Sequence, residues 1–208
     1  MVIVRLSLKL YIIWTDIRFV ILSCNHIKKV SNMTGKQFLN AVANGQSDII
    51  QILLDILTET SSAYCVIGGL AVNAYVEPLV SLDLDIVVAI KDIEVTINFA
   101  EKRGLKVEKF EHSVNLKSFN SDLRIQLQTD HRYQEFIPRA ELKEILGYKM
   151  MVAVLEDVLQ GKVWAYMDHT RRKSKRQKDL ADIMRLIESY PYLNARLPSK
   201  LQEELKDK

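Results

Sequence analysis

The sequence predicts an α/β (α+β) fold in which a mixed β-sheet core is followed by a C-terminal helical region. Short β-favouring segments alternate with helical ones between residues 64 and 128, two aspartates enter the most apolar of these strands, and helical periodicity dominates after residue 133. With 208 residues, 48% of them hydrophobic and 26% charged, the chain has a globular composition and can bury one substantial core.

The first 32 residues differ in charge from the rest of the chain. They contain five basic residues and one acid, and removing this excess of four from the net charge of +3 leaves −1 for residues 33–208. The basic pI is therefore no argument for a nucleic-acid partner. Charges interrupt the apolar stretches of this segment, so we expect neither a membrane span nor a secretory signal. We expect a cytoplasmic protein without a membrane partner that starts at Met33, with residues 1–32 a gene-start artefact of little fixed structure.

Two helices and a strand open the predicted core. Apolar residues recur at helical spacing over 35–43 and 47–57, which predicts two amphipathic helices. A β-favouring strand, Tyr64–Ile67, then stops at Gly68-Gly69. A short helix over 70–75 follows and ends before the first proline of the chain, because a residue that precedes proline is pushed out of the helical region.

The remaining elements complete a sheet and a helical C-terminal part. Further strands are predicted over 82–90, 106–110, 113–119 and 123–128, with a helix over 93–99 between the first two. Helical patterns follow over 140–146, 155–166 and 175–187. A soft boundary near Asp130 thus divides the chain into an N-terminal extension (1–32), a core (33–130) and a C-terminal helical region (131–208).

The sequence contains no signal for several other types of site. Cys24 and Cys65 have no partner at zinc-ligand spacing and the four histidines are scattered, so we expect neither a disulfide framework nor a structural zinc. The chain contains no Gly-x-Ser-x-Gly, P-loop lysine, Gly-x-Gly-x-x-Gly or His-Glu-x-x-His motif. Hydrolase and dehydrogenase functions are therefore not supported.

Two carboxylates provide the first functional signal. Side chains alternate along a strand with a period of two, so Asp83 and Asp85 project from the same face. Placing two like charges beside an apolar core is costly unless a cation compensates, and oxygen ligands favour Mg²⁺ or Mn²⁺. The competing interpretation is an exposed strand end that carries two solvated aspartates.

The glycine pair Gly68-Gly69 strengthens the metal-site hypothesis. It closes a strand and opens a helix, where free backbone N–H groups can cradle a phosphate, although a plain turn would also explain it. The apolar strand, the glycine pair, a gap of thirteen residues and the Asp-Leu-Asp of strand 82–90 together resemble the signature of the DNA polymerase β-type nucleotidyltransferase superfamily.

The resemblance extends to the branch that contains the AbiEii/AbiGii-type toxins and other minimal nucleotidyltransferases. Its second half is typically helical, with a lysine-bearing helix, a basic stretch and a Lys-Asp-x-x-Asp motif. Matching residues here are Lys162, the stretch Arg171-Arg172-Lys173, and Lys178-Asp179 followed by Asp182. The likeness covers most of residues 33–189 and implies a mixed-sheet nucleotidyltransferase core with a C-terminal helical bundle.

The resemblance also implies roles for individual residues. Asp83 and Asp85 would bind Mg²⁺ or Mn²⁺ in a two-metal site that aligns the α-phosphate of a nucleoside triphosphate for attack by a hydroxyl. The nucleotide-binding residues that it implies are Gly68, Gly69, Ser81, Lys162, Lys178 and Asp179.

One position departs from the pattern of the superfamily. A third carboxylate on a neighbouring strand normally completes the site, but the candidate strand 123–128 carries Gln126 there. An amide oxygen can bind a metal but cannot act as a general base at neutral pH. Alternation places Asp122, Arg124, Gln126, Gln128 and Asp130 on one face, and Asp130 at the strand end is the candidate substitute.

The basic residues can also be explained as ordinary surface residues without a role in nucleotide binding. Lys162 lies in an apolar helix, where a lysine can extend its ammonium to solvent, and Lys178 with Asp182 has the spacing of a surface ion pair. The run 171–178 holds six basic residues, enough to bind an RNA backbone, but such a run is more often a solvated helix face.

The sequence thus predicts a metal-dependent nucleotidyltransferase that moves a nucleoside monophosphate to a hydroxyl on RNA (including tRNA), protein or a small molecule. A toxin–antitoxin role with a cognate antitoxin is an associated expectation. The alternative is a catalytically weak nucleotide-binding or RNA-binding relative of the same fold, which Gln126 favours. A module that acts by protein contact alone stays open.

Overall fold

The computed structural model describes residues 33–206, so the prediction about residues 1–32 lies outside it. Within this range one sheet contains β1 (Tyr64–Ile67), β2 (Asp83–Val88), β3 (Lys106–Lys109), β4 (Ser113–Ser118), β5 (Ser121–Gln128), β6 (Glu141–Ile145) and β7 (Tyr148–Val152). The α-helices are α1 (Gly35–Val42), α2 (Ile49–Glu59), α3 (Gly68–Val72), α4 (Ile93–Lys102), α5 (Leu155–Met167), α6 (Lys173–Ser189) and α7 (Ser199–Lys206). No helix among these residues has the length and apolar character needed to cross a bilayer.

The sheet is mixed, as the sequence predicts. Its strand order is β3-β4-β5-β2-β1-β7-β6. Strand β2 runs parallel to β5, and β1 runs parallel to β7, whereas the other neighbouring pairs are antiparallel. The predicted α/β class is therefore confirmed. Because β2 lies between β1 and β5, both aspartates of β2 are in the interior of the sheet rather than at its edge.

Alternation along the central strands separates an apolar face from a polar one. Leu84 and Ile86 of β2 and Ile125 and Leu127 of β5 are fully buried. Helix α2 contacts β5, and α4 contacts both α2 and β3, so these two helices pack on the apolar side. Helices α5 and α6 contact each other and α3, which follows β1 directly. The polar face of β2 and β5 is therefore bordered by α3, α5 and α6.

Most predicted elements are confirmed with small shifts at their ends. The strand over Tyr64–Ile67 has the predicted bounds, and helices α5 and α6 extend the predicted patterns by one or two residues. Helix α3 begins at Gly68 rather than residue 70 and ends at Val72, so it has only five residues. A helix this short contributes little dipole at its N-terminus.

The prediction of a helix over 140–146 is wrong. This segment forms β6, which pairs antiparallel with β7 through a tight turn. Leu146 and Gly147 both have positive φ, 52° and 82°, as a type I′ hairpin turn requires. The sequence lacks the usual Asn-Gly or Asp-Gly signal, and leucine rarely adopts this conformation, so the turn was not recognisable. Strand β7 continues the sheet past Asp130, and the division into units at that residue stays a prediction.

The β6–β7 hairpin is attached to the N-terminal helices by one tyrosine. Tyr148 is 1% exposed and donates its hydroxyl to Asp48 Oδ1 at 2.8 Å. The same carboxylate oxygen accepts the backbone N–H of Gln51 and so caps α2. One carboxylate therefore connects the hairpin to the start of α2.

Replacing Tyr148 by phenylalanine removes this hydroxyl and leaves the ring in place. We expect the free energy of unfolding in urea to fall by about 1–2 kcal/mol, because a partly buried hydrogen bond to a carboxylate is lost. The matched control is Tyr192→Phe, which removes a hydroxyl from an exposed ring that donates to Glu156. Equal unfolding midpoints for the two variants would contradict the anchoring role of Tyr148.

Candidate active site

Three residues that the sequence singled out lie together at the centre of the polar face. In the parallel pairing of β2 with β5, Asp85 lies opposite Gln126 and Asp83 opposite Arg124. Residues paired across neighbouring strands share a face, so the two aspartates, the glutamine and the arginine form one cluster. Gln126 therefore lies beside Asp85, and the prediction that it stands in place of an acid stays a prediction.

The Asp85 carboxylate lies directly over Gly68. A Cβ atom added to Gly68 would be 2.2 Å from Asp85 Oδ2, and Gly68 has a φ of +70°, in the left-handed region that favours glycine. The nearest atom to a Cβ on Gly69 would be Ser81 Oγ at 3.7 Å, an ordinary contact. Gly68 is therefore required by the site itself, whereas Gly69 only lines it.

The two aspartates are stabilised in different ways. Asp83 Oδ1 accepts from Arg124 Nε at 3.1 Å, and Asp83 Oδ2 lies 3.6 Å from Lys175 Nζ. Burial raises the pKa of the Asp85 carboxyl, the positive charge of Lys162 opposes this shift, and the negative charge of Asp83 adds to it. A bound cation would compensate the Asp85 charge that burial disfavours.

The donor set of this cluster fits one divalent cation better than two. Among residues 33–206, no group of three His, Cys, Asp or Glu side chains could hold a metal ion. Mg²⁺ in nucleotide-binding sites is commonly held by one or two carboxylates together with substrate phosphates. Asp83 and Asp85 meet that requirement, and the space over Gly68 that a Cβ would fill allows Asp85 to take this position.

A groove of about 350 Å³ lies beside the aspartates and is dominated by positive charge. Its volume is within the range of small-ligand sites. Six of its residues are basic, against three acids: Arg124, Lys162, Arg171, Arg172, Lys175 and Lys178 against Asp83, Asp85 and Asp179. The groove also contains Gly69, Ser81 and Gln126, so it brings together most of the predicted nucleotide-binding residues. This excess of positive charge suits a polyphosphate.

A smaller cavity of about 80 Å³ adjoins the groove. The two share Asp85, Gln126, Lys162, Arg171 and Asp179. Gln128, Tyr133 and Gly161 line its far side. A Cβ on Gly161 would lie 3.2 Å from Tyr133 Cε1, so the glycine allows α5 to approach the tyrosine closely.

Lys162 is buried in an ion network, and its nucleotide-binding role stays a prediction. Its side chain is 8% exposed, and its Nζ lies 3.0 Å from Asp179 Oδ1 and 2.6 Å from Asp182 Oδ2. Burial alone would lower the pKa of the Lys162 ammonium, but the two carboxylates outweigh this effect and raise it. The interpretation that Lys162 extends to solvent is therefore wrong, because the lysine lies between two carboxylates.

Two arginines complete this buried network. Arg171 donates its Nε to Asp179 Oδ2 at 3.0 Å, and Arg185 donates Nη1 to Asp182 Oδ1 at 2.8 Å. The surface pair proposed for Lys178 and Asp182 is not formed, because Asp182 is 4% exposed and faces Lys162. Lys178 is exposed and lines the groove.

The structure keeps Asp122 and Asp130 away from both cavities. Asp122 accepts from Asn44 Nδ2 at 2.6 Å, and Asp130 forms a two-point ion pair with Arg132, with Nη2 to Oδ2 at 2.6 Å. The hydrogen bonds from Arg132 lower the pKa of the Asp130 carboxyl. Neither residue lines the groove or the smaller cavity. The assignment of Asp130 as substitute for the missing acid stays a prediction that this geometry does not favour.

Four basic residues of the groove did not appear among the predicted site residues. Arg171, Arg172 and Lys175 belong to the basic run that the sequence left open between RNA binding and a solvated face. Arg124 shares the strand face of Gln126, and its alternation was the signal that could have identified it.

Similarity to known proteins is confined to three-dimensional structure. No protein-family model matches the sequence, and no curated protein matches it. The antibiotic-resistance factor ANT(2″)-Ia in solution aligns with a TM-score of 0.53 and 15% identity, over 76% of this chain and 90% of that chain. This chain has a nucleotidyltransferase-type fold. The crystal structure of ANT(2″)-Ia with adenylyl-2″-tobramycin aligns with a TM-score of 0.51 and 14% identity, over 68% of this chain and 87% of that chain.

The fold assignment applies at the level of architecture. A nucleotidyltransferase-like protein from Paracoccidioides brasiliensis aligns with a TM-score of 0.49 and 19% identity, over 81% of this chain and 86% of that chain. At identities this low the likeness concerns the fold alone, and the resemblance to the AbiEii/AbiGii branch stays a prediction.

Gly68→Ala tests the close approach of Asp85. Left-handed backbone costs a non-glycine residue about 1–2 kcal/mol, and the added methyl overlaps the carboxylate. We expect a lower unfolding temperature and loss of Mn²⁺ binding in calorimetry. Gly69→Ala is the control for stability, because its methyl meets only an ordinary contact. Equal unfolding temperatures for the two variants would exclude the proposed constraint.

Lys162→Met and Lys178→Met separate the two predicted lysines. Removing Lys162 leaves two buried carboxylates without their common partner, so we expect a loss of about 3–5 kcal/mol in the free energy of unfolding. Removing the exposed Lys178 should change stability by less than about 0.5 kcal/mol and instead weaken triphosphate binding. Urea unfolding and calorimetric titration measure the two effects, and a reversed pattern would show that the roles are exchanged.

Proposed function

We propose that this protein is a Mg²⁺-dependent nucleotidyltransferase that moves a nucleoside monophosphate from a nucleoside triphosphate to an acceptor. The observation that carries the proposal is the position of Asp83 and Asp85 at the edge of a basic groove, with Asp85 over Gly68. Paired carboxylates beside a polyphosphate-sized positive groove are the minimum that metal-assisted phosphoryl chemistry requires.

The groove residues divide into metal-binding and phosphate-binding groups. Asp83 and Asp85 would hold the cation, and the cation would neutralise charge on the phosphates and on the leaving pyrophosphate. Arg171, Lys175 and Lys178 line the groove and would bind the triphosphate. Because α3 has only five residues, these side chains supply the positive charge that a longer helix dipole would otherwise provide.

Ser81 and Asp179 position these groups rather than contact the metal. Ser81 Oγ accepts the backbone N–H of Asp83 at 3.3 Å and donates to its carbonyl oxygen at 3.2 Å, which sets the entry of β2 into the site. Asp179 binds Arg171 Nε and so orients this guanidinium along the groove wall. We propose that both residues act on nucleotide binding through their neighbours.

A second candidate function is nucleotide binding without efficient transfer. It is favoured by Gln126, which lies opposite Asp85 and cannot remove a proton from an acceptor hydroxyl. Acceptors of RNA (including tRNA), protein or small-molecule type, a cognate antitoxin and a cytoplasmic location are further proposals that follow from the sequence resemblance.

The decisive experiment is a transfer assay with each α-³²P-labelled nucleoside triphosphate, Mg²⁺ or Mn²⁺ and cellular RNA or protein as acceptor. We expect wild-type protein to transfer label and Asp83→Ala or Asp85→Asn to lose transfer almost completely. Wild-type turnover in either variant would refute the assignment. Metal-dependent triphosphate binding without any transfer would favour the second candidate function.

We expect Asp85→Asn to make the folded protein more stable. Loss of activity in this variant could then not be explained by misfolding. Because burial raises the pKa of Asp85, its charge disfavours the metal-free folded state at neutral pH. Removing that charge should raise the unfolding temperature in EDTA by about 2–4 °C for each kcal/mol gained. A lower unfolding temperature than wild type would contradict this account of the carboxylate.

A further inference from the structure

We infer that the acceptor carries a phosphate monoester, whose ionised oxygen is the nucleophile; this inference rests on the proposed function. The starting point is the lack of a free base among the site residues that the structure describes. From this part of the chain, the cavities contain two carboxylates besides the metal-binding pair, Asp157 and Asp179. Arg139 binds Asp157 with two hydrogen bonds of 2.9 Å, and Lys162 and Arg171 bind Asp179.

The other lining side chains do not supply a base either. Among residues 33–206, no histidine or cysteine lines the groove or the smaller cavity. Burial raises the pKa of Tyr133 to about 12, so its hydroxyl stays protonated at neutral pH. Gln126, beside Asp85, is an amide. An acceptor alcohol would therefore find no side-chain base to take its proton, whereas a phosphate monoester, with a second pKa of about 6, is already ionised at pH 7.

A row of basic residues leads away from the aspartates along the polar face of the sheet. Asp83 pairs with Arg124, Arg124 with Lys117 and Lys117 with Lys106, on four consecutive strands. Side-chain exposure rises along this row, from 33% at Arg124 to 42% at Lys117 and 57% at Lys106. Because strands are about 4.8 Å apart, Lys117 lies about 10 Å from Asp83, within reach of an acceptor that approaches the site.

Lys117 and Lys106, the outer members of this row, are separate from the phosphate-binding residues in and just before helix α6, whereas Arg124 also lines the groove. Lys117 and Lys106 do not line the triphosphate groove, which takes its positive charge from Arg171, Lys175 and their neighbours. An anionic nucleophile must approach a polyanionic substrate, and nearby cations reduce that repulsion. The row places such cations on the open sheet surface beside Asp83.

The carboxylate of Glu108 partly neutralises the positive charge of Lys117 and Lys106. This carboxylate lies 2.6 Å from Lys117 Nζ and 2.9 Å from Lys106 Nζ, and these hydrogen bonds lower its pKa. The pairing holds both ammonium groups on the sheet surface while no acceptor is bound. Removing the Glu108 charge should therefore strengthen acceptor binding, a gain of function that misfolding cannot produce.

The proposed transfer needs no proton acceptor, because the attacking oxygen is already ionised. An ionised oxygen of the acceptor phosphate forms a bond to the α-phosphorus of the nucleoside triphosphate. The bond from that phosphorus to the bridging oxygen of the β-phosphate breaks, and its electron pair leaves with pyrophosphate. The product contains a new phosphoanhydride between the acceptor and the nucleoside monophosphate.

The first test compares acceptors that differ only in the phosphate. Full-length protein is incubated with Mg²⁺ and each α-³²P-labelled triphosphate, together with ribose 5-phosphate or ribose, or with an RNA oligonucleotide bearing a 5′-phosphate or a 5′-hydroxyl. We expect label only on phosphorylated acceptors, in a product that resists alkaline phosphatase and is cleaved by a nucleotide pyrophosphatase. Label on ribose 5-phosphate would show that the acceptor phosphate belongs to a small molecule, and label on the RNA oligonucleotide that it belongs to an RNA end.

Three results would overturn the inference in distinguishable ways. Label on ribose or on 5′-hydroxyl RNA would show that a hydroxyl is the nucleophile and leave the proposed function intact. No label on any of these four acceptors, while cellular RNA or protein is still labelled, would remove the acceptor assignment alone. Absence of both transfer and triphosphate binding would remove the proposed function and the inference with it.

The second test varies the charge of the row. We expect Lys117→Gln to raise the KM for the phosphorylated acceptor about tenfold and Glu108→Gln to lower it several-fold, since one charge-assisted contact is worth about 1.4 kcal/mol or more. The KM for the triphosphate should not change. Lys109→Gln is the matched control. Lys109 follows Glu108 directly, projects from the opposite face of β3 and pairs with Glu94. Wild-type acceptor KM in both row variants would overturn the assignment of the row.

Discussion

The arrangement of the site depends on a carboxylate that burial disfavours. Asp85 lies over Gly68 on an interior strand, where no side chain of residue 68 could be accommodated. The positive charge of Lys162 favours the ionised form of Asp85, and the negative charge of Asp83 disfavours it. Asp83 has its own partners in Arg124 and Lys175. A buried negative charge of this kind stabilises a bound cation more strongly than an exposed one can. Burial of this charge therefore costs stability, and a bound cation would offset that cost.

A second constraint comes from the ion network that joins α5 and α6. Lys162 of α5 binds Asp179 and Asp182 of α6, and Arg171 and Arg185 bind the outer oxygens of these carboxylates. Arg185 also donates to the carbonyl oxygen of Glu77, in the segment that leads to β2. Breaking such a network leaves uncompensated buried charge, so the two helices have one preferred arrangement. That arrangement places the exposed cations at the start of α6 along the basic groove.

The sequence predicted those parts of the molecule that follow from local periodicity. The strand before Gly68, the carboxylates of β2 on one face and the alternation of β5 were recognisable because side-chain direction repeats every two residues. The β6–β7 hairpin was not recognisable, because Leu146 adopts a positive φ that its residue type does not indicate. Similarly, the spacing of Lys178 and Asp182 indicated a surface pair, but burial of Asp182 against α5 gave it a different partner.

The sequence by itself determined the mixed α/β class, the paired aspartates with their glycine turn, and the absence of an acid at residue 126. These are properties of residue type and of positions two to fifteen residues apart. Only the tertiary structure decided which cations face the groove, that Lys162 is enclosed by two carboxylates, and that Arg124, Lys117 and Lys106 form one row. Each of these depends on strand register or helix packing between segments distant in sequence, and the physical reason is that ion pairing and burial are set by neighbours in space.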